Sequence, residues 1–398
     1  MSTSYDVGGV QLQRPFRIQR LGHFGYNVDD VDRAVDFYED TLGFARTDVL
    51  DLRDTPVGRR FADDVDSRLI FTRFGSDHHA FILMNKAAAG FMGGGGAPDL
   101  TTNQITWQVS TLREVVDASE YLIEAGVPIV RVGRDMPGGN WHVYFVDPDG
   151  HVVELTYGME QVGWSGHSRP REMHDRAFHR KPELPQMSEP DEIREAQSRG
   201  TDLASGFRYE AGDGERFDVG GALLPRPFSI TGLGPVGIFS RDTEAALAFY
   251  ASLLGMQVTE EASVLGHPVW FLRAGHEHHS LVIAPIELRD ALGWDDNTTS
   301  IMLGVQVGSY EQLRAARRHL EERGCKEVQF PRELHTGIDY AAHYLDPAGH
   351  RIQLYYAMEH VGWDGSPRPA DRRPLVEEPW PEVIESDLFG EPFMGPLW

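Results

Sequence analysis

Among the chain's 17 histidines and 61 acidic residues, two stand out as candidates to hold a metal: His23 in "RLGHFGYNV" and Glu154 in "GHVVELTY". Imidazole and carboxylate suit a borderline divalent ion such as Fe(II), Mn(II) or Zn(II), and a face of two imidazoles and one carboxylate leaves positions open to substrate and oxygen. Glu154 lies in a run apolar enough to aim its carboxylate into an interior. An unpaired charge there is costly, and a cation would offset it. The alternative reading is a hydrogen-bonded core histidine and a charge at a pocket mouth.

What must position these residues is legible as a repeat inside a repeat. "YDVGGVQLQRPF" at 5 returns as "FDVGGALLPRPF" at 217, and the glycine ending "FYEDTLG", Gly43, returns as Gly255. Both pairs are 212 residues apart, so the chain is two halves in register. "VDPDGHVVELTYGMEQVGW" likewise matches "LDPAGHRIQLYYAMEHVGW". The halves predict an N-terminal domain over 1–165, a linker rich in Pro, Arg, Glu and Ser over 166–212, and a C-terminal domain over 213–398. The last segment carries Trp380, Phe389, Phe393 and Trp398 as anchors for a domain or a partner subunit, and a homo-oligomer is expected.

Each half divides again. A strand ("LGHFGYNV") leads into a helix with Ala34, Phe37, Tyr38 and Leu42 at helical spacing and Gly43 as its stop. Strands follow near 46–51, 68–74 and 79–85. A second unit opens with strand "QITWQVS" and a helix ending at Gly126, then strands near 128–132, 142–146 and 151–157. The turn "DPDG" makes the last two a hairpin. The prediction is an α+β chain of four βαβββ units in two duplicated domains.

Composition narrows the function. Of 398 residues 41% are hydrophobic and 25% charged, as in a soluble globular protein, and the net charge of -24 would repel nucleic acid. The single cysteine, Cys325, excludes an intrachain disulfide and a thiolate zinc cluster. There is no basic-then-apolar leader and no long apolar run, so neither export nor a membrane span is expected, and a cytoplasmic location is. "FMGGGGAPDL" lacks the GK[ST] of a phosphate loop and reads as a connection bordering the pocket.

The order of elements, with "FYEDTLGF" closing the first helix and "DPDGHVVEL" forming the last hairpin, resembles the vicinal oxygen chelate superfamily. The two-domain layout most resembles its type I extradiol ring-cleaving dioxygenases, over about 330 residues. The resemblance implies two units paired into a cupped mixed sheet with outer helices and a metal inside. It implies ligands at His23, Gln104 and Glu154, Fe(II) first and Mn(II) or Zn(II) next. The C-terminal counterparts are Pro235, Met302 and Gln353, so the N-terminal cup is expected to be active and the C-terminal one structural, the reverse of the usual extradiol arrangement.

The same resemblance implies His79 as catalytic base, with His78 the less favoured neighbour, Tyr144 as active-site tyrosine and Asp135 at a substrate-contacting loop position. Ten residues across a hairpin should bring Tyr144 beside Glu154 on adjacent strands. His142 and Trp141 should line the pocket, with Trp107, Phe24 and Phe81 making it aromatic. Extradiol enzymes carry a histidine where Gln104 stands, and His79 is an alternative third ligand. The histidine pair recurs as His278 and His279 in the other half, where no site is expected. The implied reaction is cleavage of a catechol-like aromatic with O2, His79 titrating near ~6.5. A glyoxalase-like lyase or isomerase, which Gln104 suits, and a non-catalytic aromatic-binding protein are the alternatives.

Overall fold

A computed structural model describes residues 4–55, 61–91, 97–134, 137–174, 179–210, 212, 214–374 and 376–384. Asp135, the glycine run at 93–96, and Phe389, Phe393 and Trp398 lie outside them. The chain divides into two compact units, Met1–Gly212 with Leu253–Gly255, and Asp213–Ser252 with Met256–Trp398.

In the first unit a short hairpin (β1, Tyr5–Val7; β2, Val10–Leu12) precedes the two expected βαβββ units. One runs β3 (Arg20–Val28), α1 (Val31–Val35), β4 (Ala45–Asp51), β5 (Arg68–Arg73) and β6 (Phe81–Asn85), followed by α2 (Lys86–Phe91). The other runs β7 (Thr102–Gln108), α3 (Leu112–Glu124), β8 (Ile129–Arg134), β9 (Trp141–Val146) and β10 (Val152–Tyr157). The sheet order is β4-β5-β6-β3-β7-β10-β9-β8. The units therefore meet through β3 and β7, which run antiparallel, with β10 parallel to β7. That order places His23, Gln104 and Glu154 on three adjacent central strands.

Sequence sets which face each side chain takes. The Asp30 carboxylate caps α1 by accepting from Arg33 N, and the helix continues in wider π turns over Asp36–Leu42. Gly43 ends it at φ 100°, a conformation open to glycine at no steric cost. Phe37, Tyr38 and Leu42 are buried, and the Tyr38 ring lies 4.3 Å from Phe81. Phe24 and Tyr26 join this aromatic layer. With Phe24 and Tyr26 committed to the helices, alternation along β3 turns His23 and Asn27 to the concave face.

The β9–β10 hairpin is closed by its own turn. Asp147 Oδ1 accepts from the backbone N–H of Asp149 (3.0 Å) and His151 (2.8 Å), and Asp147 Oδ2 pairs with His151 Nδ1 at 2.9 Å. This fixes the register in which Glu154 faces Tyr144. Residues 166–212, expected as a linker, instead belong to the first unit. They carry helix α4 (Glu189–Ser198), capped by Ser188, and Glu192 binds both Arg134 and Arg169 at 2.6–3.0 Å. Their charged residues read as solvated in the sequence because the ion pairs they make are remote along the chain.

The second unit repeats the plan: a hairpin (β11, Phe217–Val219; β12, Ala222–Leu224), then β13 (Ile230–Ser240), α5 (Thr243–Leu247), β14 (Gln257–Val264), β15 (His267–Arg273), β16 (Leu281–Pro285) and α6 (Ile286–Ala291). There follow β17 (Ser300–Val307), α7 (Tyr310–Glu322), β18 (Ala341–Leu345) and β19 (Arg351–Tyr355), in the order β14-β15-β16-β13-β17-β19-β18. One expected edge strand is reduced to a single bridge, Glu327 with Tyr344. Pro331, which cannot donate to a ladder, and the turn Arg332–Leu334 end it early. Trp380 packs on Tyr340, with the Arg317 guanidinium 3.9 Å over its ring.

The second concave face is filled. Phe239 stands where the first unit has Asn27, and with Met302 it joins a continuous apolar cluster including Val269, Phe271, Val282 and Ala284. Phe239→Ala is accordingly expected to cost about 3–5 kcal/mol of stability. Chemical denaturation of the variant should register that loss while its metal content stays that of the wild type.

Candidate metal centre

His23 is 1% exposed and Glu154 fully buried, and His23 Nε2 lies 2.9 Å from Glu154 Oε2. Neither ring nitrogen of His23 makes a hydrogen bond of proper geometry. Two ligand atoms each ~2.1 Å from one ion and at right angles to it lie about 3 Å apart, so this separation is that of a coordination edge. Glu154 Oε2 also accepts from Thr106 Oγ1 at 2.7 Å and Oε1 from Asn140 Nδ2 at 2.9 Å. Burial pushes its carboxyl up, but the neighbouring His23, then His142 and the Thr106 hydroxyl, more than reverse this and hold it at about 2.

Gln104 joins the same cluster. Its Nε2 lies 3.4 Å from Glu154 Oε2 and from Thr106 Oγ1, while its Oε1 accepts from Tyr144 OH at 3.2 Å. The amide presents nitrogen to Glu154, so an ion there requires its two ends to exchange roles, an orientation that the hydrogen-bond network decides. Tyr144 faces Glu154 across the ladder as the ten-residue spacing required, with His142 beside it at a ring distance of 4.7 Å. The Arg131 guanidinium lies 4.3 Å over the Tyr144 ring.

His79 closes the other side, its ring 4.4 Å from that of His23. Its Nδ1 lies 3.0 Å from His78 Nδ1, and His78 Nε2 is 3.7 Å from Asp48 Oδ2. Burial, then His23 and His78, push the His79 imidazole well below its usual 6.5, correcting the expectation of an ordinary value. Gly138, at φ 104°, leaves room for it: a Cβ there would lie 2.8 Å from His79 Cε1.

The aromatic lining is corrected. Trp107 alternates with Gln104 and Thr106 and so faces the helices, as do Phe24 and Phe81. Trp141 lies on the face opposite Tyr144, under the Arg134 guanidinium at 5.0 Å. Asp135 falls outside the described residues. Thr106 and Asn140, both on Glu154, went unnoticed in the sequence because neither is a metal-ligand type. Thr106 had a signal all the same, two residues from Gln104 on one strand face.

The sequence profile of the glyoxalase/bleomycin resistance protein/dioxygenase superfamily matches residues 20–155 and 232–354, both duplicated halves. The chain belongs to this superfamily. Metapyrocatechase 2 of Cupriavidus necator is 28% identical over 155 residues, 38% of this chain, and the match spans only 40% of that protein. Among solved structures, the Mn(II)-bound glyoxalase of Novosphingobium aromaticivorans superposes with a TM-score of 0.55 at 15% identity, covering 88% of this chain and 85% of that one. The 2,3-dioxygenase LapB of Pseudomonas sp. KL28 gives 0.55 at 14% identity, covering 87% and 95%. These likenesses establish a shared vicinal oxygen chelate fold.

Within this superfamily member the two copies of the cup act as controls for each other. Strand register equates Gln104 with Met302 (opposite Gly25 and Gly237) and Glu154 with Gln353 (opposite Tyr144 and His343). Gln353 accepts from His343 Nε2 at 3.0 Å, and no cation ligand remains at Pro235. Asp147, Asp149 and His151 also bring ligand atoms within 4.8 Å of one another. Their counterparts, Asp346 and His350, keep the same turn bonds with Ala348 in place of Asp149, so the Asp–His pair closes the hairpin in both halves.

Proposed function

We propose that the chain is a metal-dependent extradiol dioxygenase that opens a catechol-like aromatic ring with O2. The observation that supports this most is the convergence of His23, Gln104 and Glu154 with Tyr144 and His79 in one buried cup. The buried His23 nitrogens and the imidazole, amide and carboxylate donors fit a divalent ion, Fe(II) first and Mn(II) or Zn(II) next. When bound, such an ion supplies Lewis-acid charge to adjacent substrate oxygens and, as iron or manganese, redox chemistry with O2.

The protein's own groups then hold and move protons. The contact between His78 Nδ1 and His79 Nδ1 needs one donor and one acceptor, and with His79 as the donor its Nε2 keeps a lone pair. His79, neutral at pH 7, is thus the base for a substrate hydroxyl and returns the proton later. Tyr144 OH, now given to Gln104, is placed to donate to a substrate oxygen. His142 and His78 complete the wall.

The second reading, a glyoxalase-like lyase or isomerase, is favoured by Gln104, a larger departure from an extradiol site than from a glyoxalase one. Metal analysis of anaerobically purified protein, followed by O2 uptake with catechol, separates them. Iron with uptake is expected; zinc without uptake would give the second reading, and no metal would leave only an aromatic-binding role. No described helix is long and apolar enough to cross a membrane. A homo-oligomer and a cytoplasmic location accompany the proposal, and sedimentation of the purified chain tests the first.

A further inference from the structure

Asp48 and Glu260, His78 and His278, His79 and His279, and Asp147 and Asp346 occupy equivalent places in both halves, so they follow the fold that the halves share. Glu154, Thr106 and Tyr144 do not persist: Gln353, Gly304 and His343 replace them. Asn140 changes with this second group. Its counterpart, four residues before His343, is Asp339, which pairs instead with Arg368 at 3.2 Å.

Asn140 is 1% exposed, and its Nδ2 donates to Glu154 Oε1 and to Thr156 Oγ1, each at 2.9 Å. Thr156 gives its own proton to Trp141 O, and a carboxylate only accepts. Both contacts therefore require the NH2 end, and the orientation of the amide is settled. Oδ1 is left buried without a hydrogen-bond partner, an arrangement that is costly unless something else supplies a donor. A Cβ on Gly138 would lie 3.4 Å from this oxygen and 2.8 Å from His79 Cε1, so the glycine keeps the space between them open.

We infer that Asn140 is a further residue of this site: Nδ2 aims Glu154 at the metal, and Oδ1 accepts a hydrogen bond from a hydroxyl of the substrate held beside His79. The first function needs only that Glu154 holds a metal. The second rests on the reading of a hydroxylated aromatic substrate, one that arrives with a hydroxyl proton still in place.

Mn(II) titration of the metal-free protein, following the spectrum of the free ion, tests the first function in Asn140→Ala, Asn140→Ser and Glu154→Gln. Asn140→Ala is expected to weaken Mn(II) ~10–100-fold, the usual effect of losing a group that orients a ligand. Its metal-free melting temperature should stay close to the wild type. Asn140→Ser, which can still donate to Glu154, should recover part of the affinity, and Glu154→Gln, expected to hold no metal, sets the baseline. Wild-type affinity in Asn140→Ala, or a wild type that takes up no Mn(II), overturns the positioning function. Anaerobic catechol binding at saturating Mn(II) tests the second function: Asn140→Ala should bind it several-fold more weakly, by the net worth of one hydrogen bond. Unchanged catechol affinity overturns it. Weakened Mn(II) with no catechol bound by any variant leaves the positioning function standing and removes the aromatic-substrate reading.

Discussion

Glu154→Gln is expected to lose its metal and, with it, all turnover. Glu154 is the one anion of the proposed ligand set, so the substitution removes both a donor and the charge that would offset the cation. The loss should exceed the ~10–100-fold that outer partners cost. The fold should survive, because Thr106 and Asn140 still find partners on an amide, and glutamine is what the second copy carries at 353. There is also an acid signature. A carboxyl held at about 2 in the fold against an ordinary 4.5 adds stability that is fully present above about 4.5 and is lost as pH falls toward 2. Denaturation of the metal-free wild type should show that limb, and Glu154→Gln should lack it. A variant with full metal occupancy and activity would place the centre elsewhere.

His79→Phe is expected to keep its metal, still bind catechol and lose ~10²–10⁴-fold in turnover, the worth of a positioned acid–base group. Phenylalanine fills a similar volume between Phe71 and His23, so packing should change little. Because the imidazole is pushed well below 6.5, it stays unprotonated and active further into acid than a free histidine, and the acidic limb of the rate profile should fall below pH 6.5 in the wild type. That limb should vanish in His79→Phe. Loss of the metal would make His79 a ligand in place of Gln104, and full activity would end the proton-transfer role and leave His78 or His142 to be tried.

The repeat carried most of what the sequence could tell. The βαβββ order, the stop at Gly43 and the hairpin that sets Glu154 opposite Tyr144 all follow from local signals: helical spacing, a left-handed glycine, an Asp-Pro turn. The loss of His23 to Pro235 was visible for the same reason, since each copy has the other as its reference. Three things were not legible. The aromatic lining failed because Trp107 and Trp141 lie one residue out of phase with the cup, which composition does not register. The residues at 166–212 looked like a linker because the partners of Arg169 and Glu192 are far away in sequence. Asn140 and Thr106 hydrogen-bond to Glu154, a role that many polar residues fill and no motif marks.

The metal is expected in the N-terminal cup alone. A crystal of the chain loaded with Mn(II) or Fe(II), measured at the metal's absorption edge, locates the ion directly. One anomalous peak is expected among His23, Gln104 and Glu154 and none beside Pro235, Met302 and Gln353. A peak in the C-terminal cup, or one at the Asp147–His151 turn with the His23 site empty, would contradict it.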